Sequence, residues 1–310
     1  MPKVPYTKPA LTFVDQLQQL KNRGLTIEDD NKCLFLLETI SYYRLSGYWY
    51  PMLEHPKHTH KFKQSSSFNA AFNLYCFDRE LRKLINAELE KIEVAIRAKM
   101  IYILSHSYGA FWFRDNTLFS NQYNFNKTRE KLEIEFERSE EEFIIAFKNK
   151  YTDSLPPCWI MFEISSFGNL SSLYKNLKKS IPEKRAVANH FGLDRGTFES
   201  WMHSIVYIRN LCAHHSRLWN RELRVTAILP NNPRNQWLNN TAKTNSVTGL
   251  VTSINKRIYC TLSIIIYLLN VINPNHNFKS KFKALLHKYP DVDPAAMGFT
   301  STWGQEPLWQ

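Results

Sequence analysis

Residues 209–221 read Arg209-Asn210-Leu211-Cys212-Ala213-His214-His215-Ser216-Arg217-Leu218-Trp219-Asn220-Arg221. Three arginines, two histidines and two asparagines close one amphipathic segment. An arginine, an amide and an imidazole suffice to cut RNA without a metal. The guanidinium neutralises a phosphate as a planar fork. The imidazole moves a proton near neutral pH. The amide orients either partner. The Arg-x4-His spacing from Arg209 to His214 is weak alone, since about one match arises by chance in a chain this rich in both residues. A second match runs from Arg185 to His190. It lacks the asparagine after the arginine and leads into Phe191-Gly192-Leu193, a helix end with a glycine stop. His190 therefore reads as a structural or surface histidine.

The element that presents the first match is a helix capped by Asp194. Its apolar stripe is Phe198, Trp201, Met202, Ile205, Ile208 and Cys212. Asn210, His214, Arg217 and Arg221 follow at four, three and four, and share the opposite stripe if the helix continues. Arg209 falls at the edge of the apolar stripe, where a partly desolvated guanidinium needs an anion or another subunit. His215 turns towards the apolar side.

Other elements are predicted from capping and periodicity. A helix starts after Thr12, with Asp15 near its N-terminal dipole, and ends at Gly24. A second runs from Thr26 to Leu45 and stops before Gly47; the aromatic stretch over 41–51 reads as a packing corner. Residues 52–66, with His55, His58 and His60, form an exposed loop whose histidine spacing does not suit a metal. Residues 67–107 form a long helix or two, with Asp78/Arg82 and Glu93/Arg97 at i,i+4. Glu90 or Glu93 would buttress Arg209 if this helix faces it. A charged helix covers 127–150 and carries Glu140, Glu141 and Glu142. Residues 158–177 form an apolar helix kinked at Gly168, and 182–191 a short one. Residues 227–248 are a loop, and a helix runs from Gly249 to Ile272. No strand pattern is persuasive, so the fold class is all-α.

The net charge of +12 is confined to one region. Residues 175–290 hold 18 Lys/Arg against 4 Asp/Glu, whereas residues 1–174 hold 22 against 21 and the last twenty none against 3. Such asymmetry points to a polyanion, and RNA is the expected partner. Lys279, Lys281, Lys283 and Lys288 extend the basic surface. Five dispersed cysteines without a Cys-x-x-Cys pair indicate neither a zinc ribbon nor a disulfide framework. No cofactor or metal motif is present: phosphate-loop, hydrolase-elbow and zinc-protease patterns are all missing. The start of the chain has no apolar signal core, and the apolar run 258–272 is too short for a bilayer. A cytoplasmic location with no membrane partner is expected.

Four stretches, in this order and spacing, carry a resemblance: Lys8-Pro9-Ala10-Leu11-Thr12, Ser41-Tyr42-Tyr43-Arg44-Leu45-Ser46-Gly47-Tyr48-Trp49, Phe77-Asp78-Arg79-Glu80-Leu81-Arg82, and residues 209–221. The chain resembles the abortive-infection proteins of the AbiD/AbiF type, bacterial phage-defence proteins of the HEPN superfamily. HEPN nucleases are similar in using Arg-x4–6-His with a polar residue after the arginine, places that Arg209, Asn210 and His214 fill. The resemblance implies a HEPN-like helical bundle elaborated with additional helices. It also implies a homodimer whose two motifs meet, and metal-independent RNA cleavage at that composite site. The same superfamily supplies the nuclease centres of type VI CRISPR effectors, and AbiF-type proteins are linked to small non-coding RNAs.

The expected domains are an N-terminal helical segment and loop over 1–66, a nuclease domain over 67–290 and a C-terminal tail over 291–310. In the expected reaction a ribose 2′-hydroxyl attacks the adjacent phosphate. His214 is general base or acid, Arg209 stabilises the phosphoryl oxygens, and Asn210 orients His214 or the phosphate. His215, Arg217, Asn220 and Arg221 are expected to bind RNA. The alternative is a non-catalytic RNA-binding or toxin–antitoxin component that holds a small structured RNA, with Arg209 and His214 only contacting phosphates.

Overall fold

A computed structural model describes residues 5–244 and 251–310, apart from the side chains of 243 and 244. It is 64% helical with almost no strand, an all-α fold. In chain order the α-helices are α1 (Phe13–Asn22), α2 (Asp30–Ile40), α3 (Tyr42–Trp49), α4 (Phe68–Tyr108), α5 (Gln122–Arg138), α6 (Glu142–Lys150), α7 (Cys158–Ile164), α8 (Phe167–Asn176), α9 (Pro182–His190), α10 (Arg195–Ala213), α11 (Ile258–Ile272) and α12 (Phe278–Lys288). The chain forms two compact units, one of residues 1–81 with 284–292, the other of 82–283 with 293–310. The sequence expectation put the boundaries at 66/67 and 290/291.

In the first unit the Thr12 hydroxyl accepts the Asp15 N–H at 3.1 Å and opens α1, which ends before Gly24 at φ +89°. The single helix expected over 26–45 is two. Asp29 caps α2, and Ser41, at φ +82°, breaks the chain and caps α3, so Gly47 lies inside a helix. The aromatic corner packs in part, with Tyr43 and Tyr50 left exposed. Tyr48 and Trp49 are buried, with Tyr42 edge-on to Trp49 at 5.1 Å. The buried Asp78 carboxylate accepts from the Tyr48 hydroxyl at 2.7 Å. Glu80 accepts from Lys288 at 2.8 Å and from the Tyr289 hydroxyl at 2.7 Å. His55, His58 and His60 are exposed, as expected of a loop.

Helix α4 buries Phe77, Leu81, Ile85, Leu89, Ile92, Ile96, Met100 and Leu104, spaced by three or four residues along one face. In the second unit, the expected 127–150 helix is α5 and α6, parted at Ser139, and the expected 158–177 helix is α7 and α8. The break falls at Ser165 and Ser166, with Ser166 capping α8, and Gly168 is helical rather than a kink. Helix α8 packs on α5 and α10, and α10 on α9 and α11. Helix α11 is buried from Ile258 to Leu269.

The helix expected from Gly249 is shorter. Gly249 and residues 245–248 lie outside the described residues, and 251–253 pair antiparallel with 242–244, with Ala242 opposite Ser253. Three-residue strands are too short to show alternation in sequence. Residues 291–310, expected as a tail, are packed. Trp309 is fully buried and its indole N–H donates to the Ser263 hydroxyl at 3.1 Å. The buried Glu306 carboxylate accepts from the backbone of Asn239 at 2.6 Å and of Asn240 at 3.1 Å, and from the Asn240 side chain at 2.6 Å.

Candidate functional site

Helix α10 delivers the motif. Asp194 caps it, accepting from the Gly196 and Thr197 N–H groups. Burial opposes ionisation of this carboxyl, but hydrogen bonds from Thr197 and Gly196 win and hold it below its ordinary range. Phe198, Trp201, Met202, Ile205, Ile208 and Cys212 are all buried, the stripe read from sequence. Trp201 is fixed further by donating to the Ile228 carbonyl at 2.8 Å.

The helix does not continue past Ala213. His214 is its C-cap, and His215 takes φ +53°. The Ser216 N–H returns to the Leu211 carbonyl at 2.8 Å and the His215 N–H to that of Cys212 at 3.0 Å. These bonds make a Schellman end whose left-handed residue is a histidine rather than glycine. Asn210 and His214 are exposed within one turn of each other. Arg217 and Arg221, expected one turn further along, instead lie in the irregular segment that follows, and His215 is exposed rather than turned to the apolar side.

That segment is anchored. Leu218 and Trp219 are buried, and the Arg221 Nε–H donates to the Arg217 carbonyl at 2.6 Å. Asn220 accepts from Arg257 at 3.2 Å, and the Leu223 N–H donates to the Lys256 carbonyl at 2.9 Å. Arg82 of α4, itself buried, donates to the Ser216 carbonyl at 3.4 Å. The structure therefore brings together Arg209, Asn210 and His214 at the helix end, and sets His215, Arg217, Asn220 and Arg221 in a tied turn beyond it. Sequence reading missed Leu218 and Trp219 as anchors, although two large apolar residues inside a basic run are a signal of burial.

The middle of α4 supplies the electrostatics. Burial pushes the Glu93 carboxyl above its ordinary range; Arg97 and Arg209 pull it back, and Glu90 adds to the rise. The Glu93 carboxyl of α4 therefore lies within the field of Arg209, and among the described residues no ion pair joins the two. Arg97 donates to Glu93 at 2.8 Å and to the Ser165 carbonyl at 3.1 Å, which closes the C-terminus of α7. Arg209 is half-buried and, among the described residues, has no hydrogen-bond acceptor for its guanidinium. A desolvated guanidinium whose carboxylate neighbour is committed elsewhere suits an oxyanion. Among the described residues, no three His, Cys, Asp or Glu side chains cluster as a metal site would require.

A sequence profile of the Abi-like proteins matches residues 35–220, three of the four stretches quoted above. The chain belongs to the Abi-like family. Membership suggests a role in abortive infection, the phage-defence response, and the match ends one residue short of Arg221. No curated protein and no solved structure matches the chain. No helix of this Abi-like protein is long and apolar enough to cross a membrane, among the described residues.

Proposed function

We propose that this protein is a metal-independent endoribonuclease of HEPN type that acts in abortive infection, from the AbiD/AbiF branch of its family. The observation that carries the reading is the end of α10. Exposed Asn210 and His214 stand beside a half-buried Arg209 that lies within the field of Glu93 yet has no acceptor among the described residues. A phosphate brought to Arg209 meets an imidazole within one turn. His214 moves the proton to or from the 2′-hydroxyl or leaving oxygen, Arg209 offsets the charge growing on the phosphoryl oxygens, and Asn210 orients His214 or the phosphate.

One imidazole per chain suffices if a second copy supplies its own. Support for a homodimer comes from α4, which exposes Val94, Ala98 and Tyr102 along one side. With Trp159 of α7 they line an apolar groove of about 490 Å3 that Arg97 and Glu163 border. Exposed apolar surface of this kind marks interaction sites, and it lies one turn from Glu93. His215, Arg217, Asn220 and Arg221 would bind the flanking RNA, in the region that holds the whole positive surplus. A cytoplasmic location fits that substrate.

The test is to incubate the protein with single-stranded RNA in excess EDTA. Cleavage that leaves 2′,3′-cyclic or 3′-phosphate ends, and that His214→Ala abolishes in a folded protein, is expected. Products with 3′-hydroxyl ends, or complete loss in chelator, would refute the mechanism. Tight binding without cleavage would make the protein an RNA-holding component instead.

A further inference from the structure

At the head of α10, the opposite end from the motif, lies an open cleft of about 560 Å3. Five cations line it: Lys179, Lys184, Arg185, Arg195 and Arg234. Its two carboxylates are committed. Glu199 pairs with the buried Lys184 ammonium at 3.3 Å, and Asp194 accepts from the Gly196 and Thr197 N–H groups and the Thr197 hydroxyl. Lys184 also donates to the carbonyls of Lys175 and Leu177, at 2.9 Å each, closing the end of α8. Arg195 donates to the Lys179 carbonyl. That leaves the side chains of Lys179, Arg185 and Arg234 exposed around one cleft, with no acceptor or carboxylate in bonding distance among the described residues.

The cleft is held in shape. Gly192 has φ +72°, and a Cβ there would meet the Tyr267 hydroxyl oxygen at 2.9 Å and the Asn235 amide at 3.0 Å. Its carbonyl accepts from the Tyr267 hydroxyl at 3.0 Å and from the Arg234 N–H at 2.9 Å, so the segment bearing Arg234 is clamped to the turn between α9 and α10. Among the described residues the lining has no aromatic ring, and Leu193 is its sole large apolar residue. With no aromatic platform and a surplus of cations, the cleft suits backbone phosphates better than a nucleobase.

The outward face of α10 joins this cleft to the motif. Gly196, in the cleft wall, is followed at seven-residue steps by His203 and Asn210, and all three are exposed. A seven-residue step drifts only about 20° around a helix, so they share one face. Gly196 and Asn210 are separated by about 21 Å along the axis, the length of roughly six stacked nucleotides.

We propose that the cleft is a remote phosphate anchor for single-stranded RNA. The strand lies along α10 and is gripped by Lys179, Arg185 and Arg234 about six nucleotides from the phosphate at Arg209. The inference rests on the RNA reading of the Arg209 end, and its test is separable from that reading. In a His214→Ala host, which removes cleavage, the affinity for a 12-nucleotide and a 3-nucleotide single-stranded RNA is measured over a salt series. Adding Arg185→Ala and Arg234→Ala is expected to weaken 12-mer binding at least ten-fold and to flatten its salt slope by about 1.4, at 0.7 per single-strand phosphate bound. Binding of the 3-mer should stay within two-fold. Both arginines are exposed, and an unchanged thermal transition checks the fold. The 12-mer should also slow amide exchange over 192–196 and 231–235 in the host itself.

Unchanged 12-mer affinity in the variant would overturn the anchor. So would a 3-mer that binds the host as tightly as the 12-mer and weakens with it, which marks a free-nucleotide pocket. A wild-type protein that binds the 12-mer through these arginines but never cleaves it supports the anchor and refutes the nuclease. Cleavage with no role for these arginines does the reverse.

Discussion

Arg97→Met tests whether α4 governs the charge beside the motif. Arg97 and Glu93 are 2.8 Å apart, with side chains only 12% and 14% exposed. Removing one partner of a buried pair costs about 3–5 kcal/mol, because the other charge stays desolvated. Glu93 retains Arg209 as a neighbour, so the lower end, about 3 kcal/mol, applies here. With a urea slope near 3 kcal/mol/M, that is a fall of about 1 M in midpoint at pH 7. The sign with pH follows from the raised Glu93 carboxyl. A carboxyl whose folded value lies above its unfolded one favours the fold when protonated, and that advantage is lost as pH rises through the folded value. Losing Arg97 raises the folded value further. The penalty should therefore be largest at pH 7 and shrink as pH falls towards 4.5, the ordinary value. Glu93→Gln added to Arg97→Met should recover most of the loss at pH 7. In RNA cleavage, Glu93→Gln alone should act through KM and kcat together, since it leaves Arg209 without its carboxylate neighbour. A penalty equal at both pH values, or no rescue by the second substitution, would refute the account of α4.

His215→Gly should keep the fold and the proton transfer, since glycine takes the left-handed position freely, and weaken only RNA binding, whereas His214→Ala should lose cleavage by orders of magnitude; the reverse pattern in a gel assay at saturating RNA would move the proton-transfer role to His215. Arg217→Ala with Arg221→Ala should weaken RNA binding and flatten its salt slope by roughly one unit for each phosphate no longer held, while Lys148→Ala with Lys150→Ala does little; equal behaviour would reduce the charge asymmetry to a solvated surface. Glu306→Ala should cost about 3 kcal/mol by stranding three donors over residues 239–240, read as a lowered melting temperature, and an unchanged melt would contradict the packed C-terminal segment.

Helix starts were legible where a side chain announces them: Thr12 and Asp194 cap as read, and the α10 stripe is buried throughout. Breaks without glycine or proline were not. Ser41 turns the chain at φ +82°, Ser139 parts a charged pattern and Ser165–Ser166 an apolar one, and side-chain caps at Ser41 and Ser166 rather than propensity mark where the next helix starts. The same blindness shaped the site reading. Nothing in His214-His215 signals a stop, so the spacing alone carries the polar stripe on to Arg217 and Arg221, beyond the real end of α10 at Ala213. The conditional link between α4 and Arg209 is readable because Glu90 and Glu93 are acidic residues outside the apolar stripe, Glu93 at its very edge, where a carboxylate is partly desolvated. Only the fold selects Glu93. The buried Trp309 is unreadable because its neighbours in space, Ser263 and Tyr259, lie 46 and 50 residues away in sequence.

The order in which the polypeptide is made gives the packed C-terminal segment a further meaning. Helix α11, whose far side supports α10, is closed by Phe299 and Trp309 against Tyr259, and Glu306 holds the loop at 239–240. All of these residues leave the ribosome well after the motif does, and folding units assemble as they emerge. A nascent chain that already displays residues 209–214 thus carries an unfinished scaffold, with one flank of its most apolar helix uncovered. A message broken upstream of codon 299 would yield a product bearing that same open flank, the kind of exposed surface on which chaperones and proteases act.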